Sequence, residues 1–180
     1  MGAELREAAT YAVVTAILAM LVYIWFRFEW QFGLGAVMAL THDVISTIGL
    51  FALFQLEFNL ATVAAILTIA GYSINDTVVI YDRVRENMRR YKTMPYETLF
   101  NSSINQTLSR TVVTSATTLL ALVALALFGG EVIRGLSIAL IWGVVIGTYS
   151  SVALAVPFLL YVRPSRGGET KPGDAVEAVE

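Results

Sequence analysis

Long apolar runs separated by short polar segments dominate the chain. A helix needs roughly 20 apolar residues to cross a bilayer, and five stretches approach or exceed that length: 8–26, 33–54, 58–80, 106–128 and 135–162. None of them alternates between apolar and polar positions as a membrane-barrel strand does, so helices are predicted. The pattern therefore predicts an all-α fold, a polytopic bundle of five transmembrane helices.

Most of the polar connections are short, which makes consecutive helices antiparallel neighbours. The exception is 81–105, which we interpret as a cytoplasmic connector that begins as a polar extension of the third span. Thr93 followed by Pro95 predicts a break and a restarted helix, with Thr93 as its cap and Pro95 in its first turn.

The restarted helix has apolar side chains at helical spacing from Tyr96 to Ile104. This amphipathic pattern predicts an interfacial helix, with Arg89, Arg90 and Lys92 next to anionic lipid. A solvated connector whose basic residues only fix the orientation in the membrane explains the same residues equally well.

Composition supports a membrane protein. Hydrophobic residues make up 57% of the chain and charged residues 14%, with a mean hydropathy of +0.69, far from soluble averages. The net charge of -2 is segregated along the chain, so no nucleic-acid partner is expected, and zero cysteines exclude disulfides and thiolate metal sites. We predict a transmembrane domain at 1–162, a disordered tail at 163–180, and no metal or cofactor.

Basic residues alternate between the two sides of the predicted bundle and set its orientation. The outer side would keep Arg6 and Arg134, and the inner side collects the others: Arg27, Arg83, Arg85, Arg89, Arg90, Lys92, Arg163, Arg166 and Lys171. This asymmetry predicts an outer N-terminus and a cytoplasmic C-terminus. An odd number of spans that starts outside also suggests that an earlier span precedes this sequence.

Two opposite charges inside the apolar runs are candidates for chemistry. A charge at the bilayer centre costs about 2.5–3.5 kcal/mol, so it needs a partner, a water path or a purpose. Asp76 lies four residues before Ile80, or roughly 6 Å inside the inner boundary, and Arg110 would lie at a similar depth on the antiparallel fourth span. Desolvation and a nearby cation oppose each other at a carboxyl group, which suits a proton relay. The alternatives are a permanently paired Asp76 and an Arg110 that extends to the interface.

His42 and Asp43 form the deepest ionisable pair. Neighbouring side chains on a helix point about 100° apart, so they are not expected to face one partner. Histidine titrates near neutral pH, which suits a relay. A structural pair that hydrogen-bonds neighbouring helices through Ser46, Thr41 or the fourth span is the alternative.

Other polar residues are weaker candidates. Asn75 precedes Asp76, and Thr114 and Thr117 share a face with Arg110, where they could line a file of water beside Asp76. Hydroxyls in membrane helices more often bond the backbone of their own helix. Separately, the small residues in Gly143-x-x-x-Gly147 predict a close contact between helices.

Several segments together resemble the SecF branch of the SecD/SecF family, within the resistance-nodulation-division (RND) superfamily. They are Arg27 to Trp30 (RFEW), His42-Asp43, 71–83 (GYSINDTVVIYDR), 102–110 (SSINQTLSR) and Gly147 to Ser151 (GTYSS). The resemblance covers about 4–162, and GYSINDTVVIYDR is its most specific part.

The resemblance implies a non-enzymatic subunit of the Sec protein-export machinery in the bacterial inner membrane. Such a subunit would couple the proton motive force to late-stage preprotein translocation, together with SecD and the SecYEG–SecA translocase. The family's acid in the IND motif matches Asp76, and its arginine in the LSRT motif matches Arg110. Members of the family carry a first membrane helix and a periplasmic domain before the part that resembles this chain, which would make it the last five helices of a six-helix unit with a periplasmic N-terminus.

Three other classes stay open at this stage. An RND-type small-molecule exporter would share the buried acid but should carry much larger periplasmic domains. An intramembrane aspartyl protease could use Asp43 and Asp76 as a dyad, although neither stands in a Gly-x-Gly-Asp motif and the two are predicted to differ in depth. A purely structural membrane subunit is the third alternative.

Overall fold

The computed structural model describes residues 3–56 and 59–165, and within these residues the chain is helical without strands. The helices are α1 (Ala3–Arg27), α2 (Trp30–Leu53), α3 (Leu60–Arg90), α4 (Tyr96–Phe128), α5 (Glu131–Ser150) and α6 (Val156–Val162). A π-helical turn, Ser151–Ala155, joins α5 and α6 into one continuous span. Five helices are thus long and apolar enough to cross a membrane, which confirms the predicted all-α bundle.

Helix α3 is the centre of the bundle. It contacts α1, α2, α4 and α5, and half of its most apolar segment (50%) is buried, against 6% for α1 and 11% for α4. A helix that is apolar on all sides but covered on few of them suits a lipid-facing position. The arrangement therefore places α1 and α4 at the edges and α3 within reach of every other long helix.

The larger apolar core lies at the end of the bundle where α1 ends and α4 begins. Tyr81 is its largest fully buried side chain, and its ring lies 5.1 Å from that of Phe32 and 5.9 Å from that of Phe28, centroid to centroid. The Tyr81 hydroxyl donates to the Ala155 carbonyl at 3.1 Å. This contact depends on Gly35, because a Cβ there would collide with the hydroxyl.

Small residues on α5 let it approach α3 closely, as the Gly143-x-x-x-Gly147 spacing predicts. A Cβ on Gly143 would collide with the Ile69 side chain, and one on Gly147 would lie 3.1 Å from the Ser73 Cβ. The two backbones therefore meet along the middle of the bundle, where the polar residues are found.

The connector agrees with the prediction in outline and differs in its cap. Helix α3 continues past Ile80 to Arg90 as the predicted polar extension, and after a break α4 begins at Tyr96 and runs without interruption into the fourth span. The prediction of Thr93 as the helix cap was wrong, because Pro95 occupies the cap position, with no side-chain capping bond. Proline fixes φ and disfavours a helical conformation in the residue before it, so the helix starts directly after Pro95.

One prediction for the amphipathic start of α4 placed its apolar side in the headgroup region of the membrane, and this placement was wrong. Leu99 and Phe100 are buried in the same core cluster as Val84 and Met88 of α3, and Ser103 on the same face is fully buried. The 3.6-residue pattern correctly indicated one apolar face, but that face packs on protein. Of the predicted tail, 166–180 lies outside the described residues.

Candidate functional site within the bundle

Asp76 lies close to the midpoint of α3 and is 4% exposed. Because α3 continues past Ile80 as a polar extension, the carboxylate lies well inside the helix. Among the described residues, no group within hydrogen-bond distance satisfies its buried Oδ2 atom. An unpaired buried carboxylate oxygen is costly, so its presence calls for a functional explanation.

Two polar contacts fix the antiparallel register of α3 and α4. The Tyr72 hydroxyl donates to Ser115 at 3.4 Å, and the Asn87 amide donates to Ser103 at 2.8 Å. Asp76 lies between these contacts along α3, which places it level with Thr111. The register thus agrees with the prediction that Asp76 lies at a similar depth to Arg110, near the start of the fourth span.

Arg110 is next to Thr111 on α4, and its side chain is exposed on the bundle surface. No ion pair within 4.0 Å joins it to Asp76 in the described part of the chain, yet its guanidinium is the charge that acts on this carboxyl through space. The two residues therefore lie at one level, close enough for their charges to interact and too far apart for a direct bond. Asn75, beside Asp76, is exposed.

Asp43, in contrast, is fully buried and saturated with partners. Its Oδ2 accepts hydrogen bonds from the hydroxyls of Ser73 at 2.5 Å and Ser150 at 2.8 Å. Its Oδ1 lies 3.1 Å from the Nδ1 of His42. One carboxylate thus ties α2 to both α3 and α5.

The His42 side chain is 39% exposed, so the pair does divide between the interior and the surface, although the two side chains contact each other. The hydrogen bonds to neighbouring helices agree with the structural alternative, but those of Asp43 join α3 and α5 and not the fourth span, α4; Ser46 separately accepts from the Trp142 indole of α5 at 3.2 Å. The rotation of α2 about its axis decides which neighbours Asp43 meets, and hydropathy does not report that rotation.

A second set of hydroxyls extends this network by one helical turn. Thr77 and Ser151 share a hydrogen bond of 2.8 Å, and Ser151 also donates to the carbonyls of Gly147 at 2.8 Å and Ser73 at 3.3 Å. Sequence reasoning did not single out Ser73, Thr77, Ser150 or Ser151 as site residues. The available signal was their position inside the two segments GYSINDTVVIYDR and GTYSS.

The relative depth of the two acids follows from a hydrogen bond between their helices. Ser73, which holds Asp43, precedes Asp76 by three residues, a rise of about 4.5 Å along the helix. The prediction that Asp43 lies at mid-membrane and Asp76 near the inner face stays a prediction, while the hydrogen bond from Ser73 shows that the two acids lie about one helical turn apart.

The hydroxyl stripe that faces the bundle on α4 differs from the one suggested by the sequence. Thr114 and Thr117 donate to the carbonyls of Arg110 and Val113, at 2.8 and 2.9 Å, and lie on the outer side of α4. The buried hydroxyls recur every four residues on another face: Ser103, Thr107, Thr111 and Ser115. In the described residues, no group of three or more His, Cys, Asp or Glu side chains could hold a metal ion.

Comparison with known proteins decides the family. Residues 1–165 match the model of the family described as protein export membrane protein SecD/SecF, C-terminal. The chain belongs to the SecD/SecF family. Membership gives no support to the exporter or protease alternatives.

Individual SecD/SecF relatives agree with this assignment. Protein translocase subunit SecF of Cereibacter sphaeroides is 58% identical over 175 residues, covering 97% of this chain and 54% of the relative. The subunit of the same name in Rhodothermus marinus is 55% identical over 166 residues, covering 89% of this chain and 54% of the relative. The chain thus spans about half the length of the curated relatives that it matches.

Solved structures of SecDF share the fold. A SecDF from Thermus, described as a translocon-associated membrane protein, matches with a TM-score of 0.86 and 46% identity over 89% of this chain and 22% of that chain. SecDF in a super-membrane-facing form matches with a TM-score of 0.85 and 44% identity, covering 99% of this chain and 23% of that one.

Proposed function

We propose that this chain is the membrane-embedded part of a SecF-type subunit that couples the proton motive force to a late stage of protein export. It would work in the bacterial inner membrane with SecD, and with the SecYEG–SecA translocase on preproteins. Asp76 would take up and release the proton, and Arg110 would be the cation that favours its release. The proposal includes no enzymatic step.

The observation that carries the proposal is the state of Asp76. Its carboxylate is buried in the middle of the central helix, one of its oxygens is unpaired among the described residues, and a cation acts on it from the neighbouring helix. A permanently charged acid in this position would be expensive. Alternation between the protonated and ionised forms removes the need for a fixed partner.

The exposure of Arg110 supports a partner subunit at this face. A guanidinium turned toward lipid from within a span is costly, and α4 also exposes the apolar Val113 one turn along on the same side. Covering this face with a second membrane subunit would shield the charge. SecD is our candidate, because the matching solved structures are described as SecDF.

The orientation rests on the distribution of basic residues. Arg27 at the end of α1 and the basic end of α3 lie at one end of the bundle, joined by the ion pair between Arg27 and Asp82 at 2.9 Å. The positive-inside rule assigns that end to the cytoplasm, which leaves the N-terminal end of α1 in the periplasm.

The test uses the full-length protein in membrane vesicles with and without an imposed proton gradient. Asp76→Asn keeps the shape of the side chain but removes its proton exchange, so export should lose its response to the gradient while the complex with SecD still assembles. Arg110→Leu should have the same effect. Asp82→Asn is the matched control, because Asp82 is an exposed acid on the same helix, and this variant should retain the response.

Two results would overturn the proposal. One is a normal gradient response in Asp76→Asn. The other is failure of this variant to assemble with SecD, because a loss of assembly would assign Asp76 a purely structural role.

A further inference from the structure

Two adjacent clefts open on the surface where α1 ends and α3 extends beyond the apolar runs. Their volumes are about 370 and 380 Å³, and they share Arg85 and Arg89. We call them together the basic crevice, because five cationic side chains line it: Arg27, Arg85, Arg89, Arg90 and Lys92.

The crevice carries more positive charge than its acids neutralise. Three carboxylates also line it, Glu29, Asp82 and Glu86. Arg27 donates to both carboxylate oxygens of Asp82, at 2.9 and 3.1 Å. Glu86 accepts at 2.6 Å from Arg83, which does not line the crevice. Arg85 and Arg89 line both clefts and have no ion pair among the described residues, so the excess charge concentrates around these two side chains.

Arg85 is positioned rather than free to swing away. Its Nη1 donates to the backbone carbonyl of Arg27 at 3.3 Å, which links the end of α1 to α3. In the described residues no ion pair is found for Arg89, which is exposed one turn further along the same helix. Guanidinium groups on consecutive turns suit a phosphate oxygen cluster, because each presents a fork of N–H donors.

The crevice also has an apolar side. Phe32 and Met88 line it from the core, and the neighbouring end of α1 exposes Trp25 and Phe26. Arg27 is the last residue of α1, so the crevice lies at the level where the first span meets the bilayer surface. An anion with an attached apolar tail fits these surroundings better than a free ion.

We infer that the basic crevice is a binding site for an anionic phospholipid. The headgroup phosphate lies between Arg85 and Arg89, and the acyl chains lie along the exposed apolar surface of α1. This inference does not depend on proton coupling through Asp76. The sequence predicted only that basic residues lie next to anionic lipid, and scattered interfacial charges would do that without any cleft. The structure adds a cleft with a defined position for one headgroup.

The experiment measures lipid selectivity of the purified full-length protein by native mass spectrometry. Phosphatidylglycerol and phosphatidylcholine with identical acyl chains are supplied together, and the ratio bound is read out. Each basic side chain near a membrane surface contributes about fivefold to the binding of anionic lipid. Arg89→Gln should therefore lower the preference for phosphatidylglycerol about fivefold, and Arg85→Gln combined with Arg89→Gln should nearly abolish it.

Arg134→Gln is the matched control, because Arg134 is an exposed arginine in a different helix, α5, 3.6 Å from Glu131. It should retain the wild-type preference. An equal loss in this control, or unchanged selectivity in the double variant, would overturn the site, because either result would show a diffuse charge effect.

Competition identifies the source of the phosphate. Inorganic phosphate and a poly-glutamate peptide, each at millimolar concentration, should leave bound phosphatidylglycerol in place. Displacement by inorganic phosphate would overturn the lipid assignment in favour of a free anion. Displacement by the peptide alone would overturn it in favour of an acidic protein segment. A folded state of each variant is verified by its unchanged elution volume in size-exclusion chromatography.

Discussion

Asp43 and Asp76 are the same residue type, both buried in the bundle and about one helical turn apart in depth, yet their surroundings differ completely. Asp43 receives two hydroxyl hydrogen bonds and contacts a histidine. Asp76 keeps an oxygen without a partner among the described residues. The first carboxylate is held by hydrogen-bond partners on both oxygens, whereas the second has an oxygen that no described group holds in place. Burial alone therefore does not separate the two acids; the number of satisfied oxygens does, and it supports the proposal that Asp76 carries the proton.

The difference follows from how closely the helices approach. Gly143 and Gly147 bring the α5 backbone against α3, so that short serine side chains reach Asp43. Between α3 and α4, hydrogen bonds to Ser115 and Ser103 lie on either side of Asp76. The acid at the tight interface is saturated with partners, and the acid between α3 and α4 keeps an unpaired oxygen that is available for the proposed proton exchange.

The largest stability effect is expected for Asp43→Ala. This change removes the acceptor of the Ser73 hydroxyl and one of the two acceptors of the Ser150 hydroxyl, and it opens a cavity, so we expect a loss of about 2–3 kcal/mol in the free energy of unfolding. Asp76→Ala should cost less than about 1 kcal/mol, because an unsatisfied oxygen is removed. Unfolding of both variants in mixed detergent micelles measures the difference, and equal losses would contradict the comparison.

A smaller effect is expected when the tight interface is widened. Gly143→Val forces a side chain against Ile69, and overpacking of this kind costs about 1–3 kcal/mol. Gly135→Val on the same helix is the control, because nothing lies within 4 Å of a Cβ at that position. The same unfolding assay should separate them, and indistinguishable variants would show that α5 does not depend on close contact.

The smallest effect is expected for single hydroxyls. Ser73→Ala and Ser150→Ala each remove one bond to Asp43, and hydrogen bonds between membrane helices average about 0.6 kcal/mol. Thr117→Ala, which removes a hydroxyl bonded to its own helix, should cost less than either. If Thr117→Ala were the most harmful of the three, the network around Asp43 would not be what stabilises the bundle.

Sequence reasoning predicted the fold and singled out Asp76 and Arg110, because a charge inside an apolar run is visible from hydropathy alone. It missed Ser73 and Ser150, since serine is nearly neutral in hydropathy and its importance depends on what it faces. The rotation of each helix about its axis settles that question, and it is set by packing between helices. The roles of Asp76 and Arg110 in proton transfer stay predictions.

The start of α4 shows the same limit. Leu99 and Phe100 were correctly assigned to one apolar face, but the pattern is silent on whether lipid or protein covers that face. The structure buries both in the core. An amphipathic stretch beside a membrane is therefore ambiguous until the neighbouring helix, here the long extension of α3, has been placed.

The wider turn at Ser151–Ala155 changes how the last span must be drawn. At 100° per residue, a helical wheel started at Gly143 would set Leu159 about 160° away, on nearly the opposite side. Yet Gly143 packs against Ile69 and Leu159 is fully enclosed. The π-helical turn rotates the faces of α6 relative to those of α5, so the two helices need separate helical wheels. A single wheel for the whole span would assign buried residues of α6 to the lipid-facing side.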